Sequence, residues 1–124
     1  MGKYESERKN IIEKKSFDFA VRIVNLNKYL NNKNEYILSK QLLRSGTSIG
    51  ANIEEAEGAI TKKDFLNKIY TAHKEARETS FWLELLHETN YLNDKEFISI
   101  FNDCEELIKL TGKIISTTNK SLDK

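Results

Sequence analysis

The sequence predicts an all-α protein of four helices. Proline is absent from its 124 residues and glycine occurs only five times, so the two residues that cost a helix most, about 1 kcal/mol for glycine and about 3 for proline, seldom interrupt it. Apolar residues recur at alternating spacings of three and four, the period of one helix face. Charged residues make up 31% of the chain, enough to solvate the outward faces and leave one shared core. By length the chain is a single domain, 1–124, with an ordered core expected over 10–118.

The first helix is expected from about Asn10 to Asn31. Phe19, Ile23, Leu26 and Leu30 form one apolar stripe, and Phe17, Ala20, Val21 and Val24 form a second beside it. One packed neighbour covers one stripe. Either the helix is central in its bundle or one stripe meets another subunit, and periodicity leaves open which. "NNKN", 31–34, is the turn that follows.

The second helix is expected from about Glu35 to Ile60, through "RSGTSIGA". Leu42, Gly46, Ile49, Ile53, Ala56 and Ile60 keep their phase across both glycines, which a helix break would reset. Gly46 and Gly50 lie four apart on one side, so together they remove two neighbouring side chains and let another backbone approach. Leucine at either should overpack that contact by roughly 1–3 kcal/mol, while alanine is tolerated where there is slack.

Thr61 with Asp64 three residues on opens the third helix, which runs to about His87. Its seam is Phe65, Ile69, Ala72, Ala76, Thr79, Leu83 and Leu86, and the small central residues are expected opposite Gly46 and Gly50 of the second helix. Asn93, with Glu96 at the third position, caps a fourth helix reaching about Thr118, with Phe97, Ile100, Cys104, Leu107, Thr111 and Ile114 inward. The tail "NKSLDK" is expected to fray. The four helices read as an antiparallel, up-down-up-down bundle that assembles into a homo-oligomer.

Composition narrows the function. No apolar run approaches the ~20 residues of a membrane span, and "MGKYESERKN" lacks the apolar core of a secretory signal, so a cytoplasmic protein without membrane contact is expected. Cys104 is the lone cysteine, which excludes an internal disulfide and fits a small buried hydrophobe. Glu84 and His87 form one Glu-x-x-His, but a di-metal bundle needs that motif twice and the only other histidine, His73, follows Tyr70 at that spacing. A solvent-facing histidine is expected there. "SGTSIG" lacks the ending of a phosphate loop, and Thr47 and Ser48 have no histidine nearby in sequence. No catalytic residue, cofactor or metal ligand is expected.

Two polar features remain. Arg44, Ser48, Asn52 and Glu55 follow one another beside the second helix's seam, and Glu75 and Glu78 occur among the small residues of the third. A buried Arg44 requires a carboxylate partner; the alternative is that these groups face water. Residues 1–45 carry ten Lys/Arg against five Asp/Glu, while the remainder is net acidic. Arg8, Lys15 and Arg22 recur every seven residues with Lys14 nearby, a modest stripe that reads as a solvated face or as a footprint for RNA or DNA.

"KSFDFAVRIVNL", "SKQLLRSGTSIGANIEEAEGA" and "DFLNKIYTAHKEARETSFWLELL" resemble the bacterial four-helix-bundle family named after the 23S rRNA intervening-sequence proteins. The resemblance runs from about Lys15 to Leu92, with "RSGTSIGANI" its most specific block and the fourth helix contributing little. It implies a closed homopentamer, and Arg44, Ser48, Asn52, Glu55 and Glu75 match the family's polar positions without bringing a catalytic role. Related retroelement accessory proteins are basic pentamers that bind nucleic acid and a reverse transcriptase, whereas this chain is nearly neutral at +1. The expectation is a non-enzymatic assembly or adaptor protein, the alternative an RNA- or DNA-binding accessory protein, associated with the ribosome or a reverse transcriptase, that uses its basic first helix.

Overall fold

The computed structural model describes residues 10–122, which form four helices and, among the described residues, no strand. They are α1 (Ile11–Asn32), α2 (Leu38–Glu57), α3 (Lys62–Glu88) and α4 (Asp94–Leu122).

Three of the four helix starts use a short polar cap. The Asn10 side chain accepts from the Glu13 N–H at 2.9 Å, and Thr61 accepts from the Asp64 N–H at 3.1 Å. Asn93 and Glu96 satisfy each other's backbone N–H at 2.8 and 2.9 Å, a full capping box. The start of α2 differs. Ile37 stands at its cap position with no side-chain oxygen, and the buried Glu35 carboxylate takes the N–H groups of Ile37, Leu38 and Ser39 at 3.3, 3.1 and 2.7 Å. Glu35 is therefore the cap of α2 and not its first turn, as the sequence had implied.

The helix ends follow equally local rules. Asn34 and Asn90 adopt positive φ of 65° and 71°. Each closes a Schellman motif, in which Glu35 N–H reaches Leu30 O and Tyr91 N–H reaches Leu86 O, both at 2.9 Å. At the end of α2, Gly58 and Ala59 bond back to Glu55 and Ala56, tightening the last turn. Ile60 consequently leaves the seam assigned to it and is 94% exposed. At the other extreme α4 continues to Leu122, past the expected Thr118.

Neighbouring helices pack in chain order, and α4 returns to α1 across the thinnest of the four seams. The core contains Phe19, Ile23 and Leu30 of α1, Leu42, Ile49 and Ile53 of α2, Ile69, Leu83 and Leu86 of α3, and Ile100, Cys104 and Leu107 of α4. The choice between the two stripes of α1 is thereby made: Phe17, Val21 and Val24 are the exposed set. The glycines also face a different helix from the one expected. A Cβ on Gly46 would stand 2.7 Å from Ile23 Cγ1, and one on Gly50 would stand 3.2 Å from the Ser16 carbonyl oxygen, so both serve the α1–α2 contact. Against α3 the small residue used is Ser45, whose hydroxyl accepts from Thr79 at 2.9 Å. No described helix is long and apolar enough to cross a membrane.

Candidate functional site

The α2–α3 face carries a charged cluster. Arg44 points across the seam to Glu75, at 3.0 Å, and to Glu78, while its Nε donates to Gln41 at 3.3 Å. The Trp82 indole N–H donates to Glu78 at 2.9 Å, so one carboxylate joins the guanidinium to an aromatic ring. Helical spacing brings these groups together: Gln41 lies three before Arg44, and Trp82 lies four after Glu78. Glu75 is the most enclosed of the charged members, its side chain 13% exposed against 48% for Arg44.

Only part of the polar set read from the sequence converges there. Arg44 and Glu75 meet directly. Ser48 donates to the Arg44 carbonyl at 2.6 Å and Asn52 to the Ser48 carbonyl at 2.8 Å, so both hydrogen bonds stay within their own helix. Glu55 pairs with Lys68 of α3 at 2.8 Å, farther along the seam. Gln41 and Trp82 were not foreseen as members, and the signal for them was their spacing from Arg44 and Glu78.

The basic residues of α1 lie on its other side. Arg8 falls outside the described residues. Lys14 makes a 3.7 Å pair with Asp18 one turn along the same helix. Lys15 reaches Glu106 at 3.1 Å; Arg22 reaches Asp103 at 2.7 Å and the Ser99 hydroxyl at 2.9 Å. Tyr29 continues the series seven residues on, its hydroxyl donating to Glu96 at 2.6 Å. Carboxylates of α4 thus already face the stripe that was read as a phosphate footprint. The matching signal in the sequence is Glu96 and Asp103, also seven apart.

The two histidines and the cysteine make contacts within the bundle. His87 is half-buried and not merely solvent-facing: it pairs with Asp94 at 2.7 Å and stacks on Phe97, with centroids 4.3 Å apart, so it clasps the α3–α4 turn. His73 bonds Thr111 through Nδ1 at 2.8 Å, and its pKa is lowered by desolvation and then by Arg77. The Cys104 thiol donates to the Ala76 carbonyl at 3.3 Å, and burial, followed by Glu105 and Asp103, pushes its pKa up to about 12. It is held as a neutral thiol. Among the described residues no group of three His, Cys, Asp or Glu side chains could hold a metal ion.

Outside the core, Phe17, Val21 and Val24 leave an apolar strip along α1. Phe17 and Ala20 join Thr47, Gly50 and Ala51 of α2 around a cleft of about 250 Å³.

The profile of the 23S rRNA-intervening sequence proteins matches residues 8–113. The chain belongs to that family. The match extends through much of α4, farther than the blocks that carried the sequence resemblance. A solved structure from Bacteroides thetaiotaomicron, described as a protein of unknown function from the S23 ribosomal protein family, is 55% identical; the alignment covers 85% of this chain and 98% of that one with a TM-score of 0.83. No curated protein matches the chain. At 55% identity this family member shares more than topology with the Bacteroides protein, although the description of that relative names no activity to carry over.

Proposed function

We propose that this family member is a non-enzymatic, self-associating protein of the cytoplasm, an antiparallel up-down-up-down four-helix bundle that acts as an assembly or adaptor. The observation that carries the reading is the strip Phe17, Val21 and Val24, three large apolar side chains exposed on one helix beside the Gly50 cleft. A contiguous apolar face of this kind marks an interaction surface, and a second copy is the partner always present at equal concentration. Five subunits is the favoured number on the family resemblance. The opposed order of the contacts Lys15 to Glu106, Arg22 to Asp103 and Tyr29 to Glu96 supports the antiparallel arrangement of α1 and α4.

Light scattering coupled to size exclusion tests the proposal. Wild type should elute as an oligomer, and Val21→Glu should shift it toward monomer while leaving helical content unchanged. A wild-type monomer at micromolar concentration would refute self-association. The second reading, binding of RNA or DNA through Arg8, Lys14, Lys15 and Arg22, has less support because Lys15 and Arg22 already face Glu106 and Asp103. Fluorescence anisotropy of a labelled RNA across a salt series, with the Arg8, Lys15 and Arg22 triple glutamate variant, measures it directly.

A further inference from the structure

A cleft of about 460 Å³ opens in the α1–α4 seam, within the range of about 300–1,000 Å³ usual for small-molecule sites. Its floor is apolar: Leu92 and Ile100 are buried beneath it and Leu26 is half-buried. Two polar clasps, Arg22 with Asp103 and Tyr29 with Glu96, cross the seam at this cleft. They stand seven residues apart on α1, about 10 Å at 1.5 Å per residue. A space so bounded admits a small molecule, not a helix laid along the seam.

The rim holds donors and acceptors, and its carboxylate is already engaged. Each oxygen of Glu96 already has a donor, the Tyr29 hydroxyl at 2.6 Å and the Asn93 N–H at 2.9 Å. Asp103, just beyond, accepts from Arg22. The Ser99 hydroxyl oxygen also accepts from Arg22, which leaves its proton to give. Among the described residues, the Lys95 ammonium and the Asn25 amide at the rim have no partner. The groups left without a partner around the apolar floor are the Lys95 ammonium, the Asn25 amide, which can donate or accept, and the Ser99 proton, and the charge among them is positive. An anionic head on an apolar body is the complement of that set.

The geometry points to the α1–α4 cleft as a binding site for a small amphiphilic carboxylate. Its body lies on Leu26, Leu92 and Ile100, and its head is held by Lys95, Asn25 and the Ser99 hydroxyl. The cleft borders the Phe17, Val21 and Val24 strip without including any of its residues.

The test uses the full chain with three probes, decanoate, decanol and acetate, read by isothermal titration calorimetry and by amide chemical shifts. Decanoate should bind and move the amides of Asn25, Leu26, Ser99 and Ile100. Decanol, which lacks the anionic head, and acetate, which lacks the body, should each bind about tenfold more weakly or worse. Lys95→Glu should weaken decanoate by about tenfold or more, and Asn25→Trp should obstruct the cleft from its rim. Both positions are exposed, so melting temperature checks that either variant remains folded. Equal affinity for decanol and decanoate, shifts confined to Phe17, Val21 and Ala51, unaltered affinity in folded Lys95→Glu, or no response to decanoate at low millimolar concentration would each overturn the assignment.

Discussion

The two seams of α1 are built from opposite chemistry. Toward α2, close approach depends on missing side chains: Gly46 accommodates Ile23, and Gly50 accommodates the Ser16 backbone. Toward α4, the helices are bridged by long side chains, Lys15, Arg22 and Tyr29, reaching across to Glu106, Asp103 and Glu96. The first contact is close-packed at Gly46 and intolerant of added volume there. The second is exposed, polar and thin enough to leave a cleft. A substitution should therefore act through packing at one seam and through screened charge at the other.

The largest effect is expected at Gly46. Its added Cβ would meet the branch atoms of a fully buried Ile23, so Gly46→Ala should destabilise by roughly 1–3 kcal/mol and Gly46→Leu by more. This reverses the tolerance of alanine expected from spacing alone. At Gly50 the nearest atom is 3.2 Å away, and the gain in helix propensity of about 1 kcal/mol should leave Gly50→Ala close to neutral. Urea unfolding of the two alanine variants compares them directly; equal stabilities would mean that α1 yields as easily at Ile23 as at Ser16.

A middle effect is expected on the α2–α3 face. Arg44→Met removes the cation between Glu75 and Glu78 and should cost roughly 1 kcal/mol, a modest value because the guanidinium is half exposed. A double-mutant cycle with Glu75→Gln should recover part of that loss, and strict additivity would show that the two groups do not couple.

Smaller still is the contribution of the α1–α4 clasps. Asp103→Asn should cost about 0.5 kcal/mol or less, and the difference from wild type should shrink in about 1 M salt, where charges are screened within roughly 3 Å. A larger cost that persists in salt would make this seam resemble the glycine contact. The comparison would then fail.

The α3–α4 seam supplies a pH-dependent case. Desolvation, followed by Arg77, holds His73 below its ordinary pKa of 6.5. The unfolded chain consequently takes up the proton first as pH falls. The contribution is fully present above the unfolded pKa and is lost progressively as pH descends toward the folded one. Chemical denaturation across that interval should show a shallower pH slope for His73→Gln, and an identical slope would remove His73 from the account.

The sequence made the local features legible because their causes lie within a few residues. Asn10, Thr61 and Asn93 reach N–H groups three positions away, and the seams of α3 and α4 follow a three-four rhythm whose buried members are Ile69, Ala72, Ala76, Thr79, Leu83 and Leu86, then Ile100, Cys104, Leu107 and Thr111. Glu35 escaped that reading because its carboxylate supplies the cap while isoleucine occupies the cap position. Within the polar set, the sequence left open whether Arg44 meets a carboxylate or faces water; it meets Glu75 while remaining half exposed. Ser48 and Asn52 turned to their own backbone instead.

Periodicity therefore determined the helical class, the order of the helices and most inward positions, since those depend on the 3.6-residue turn. Tertiary structure decided that Phe17, Val21 and Val24 remain outside, that Gly46 and Gly50 meet α1, and that Lys15 and Arg22 face α4. Periodicity tells which residues share a face but carries no label for the helix opposite. That choice depends on contacts between residues far apart in the chain: the Gly46 contact crosses to Ile23, and the Arg22 clasp crosses to Asp103.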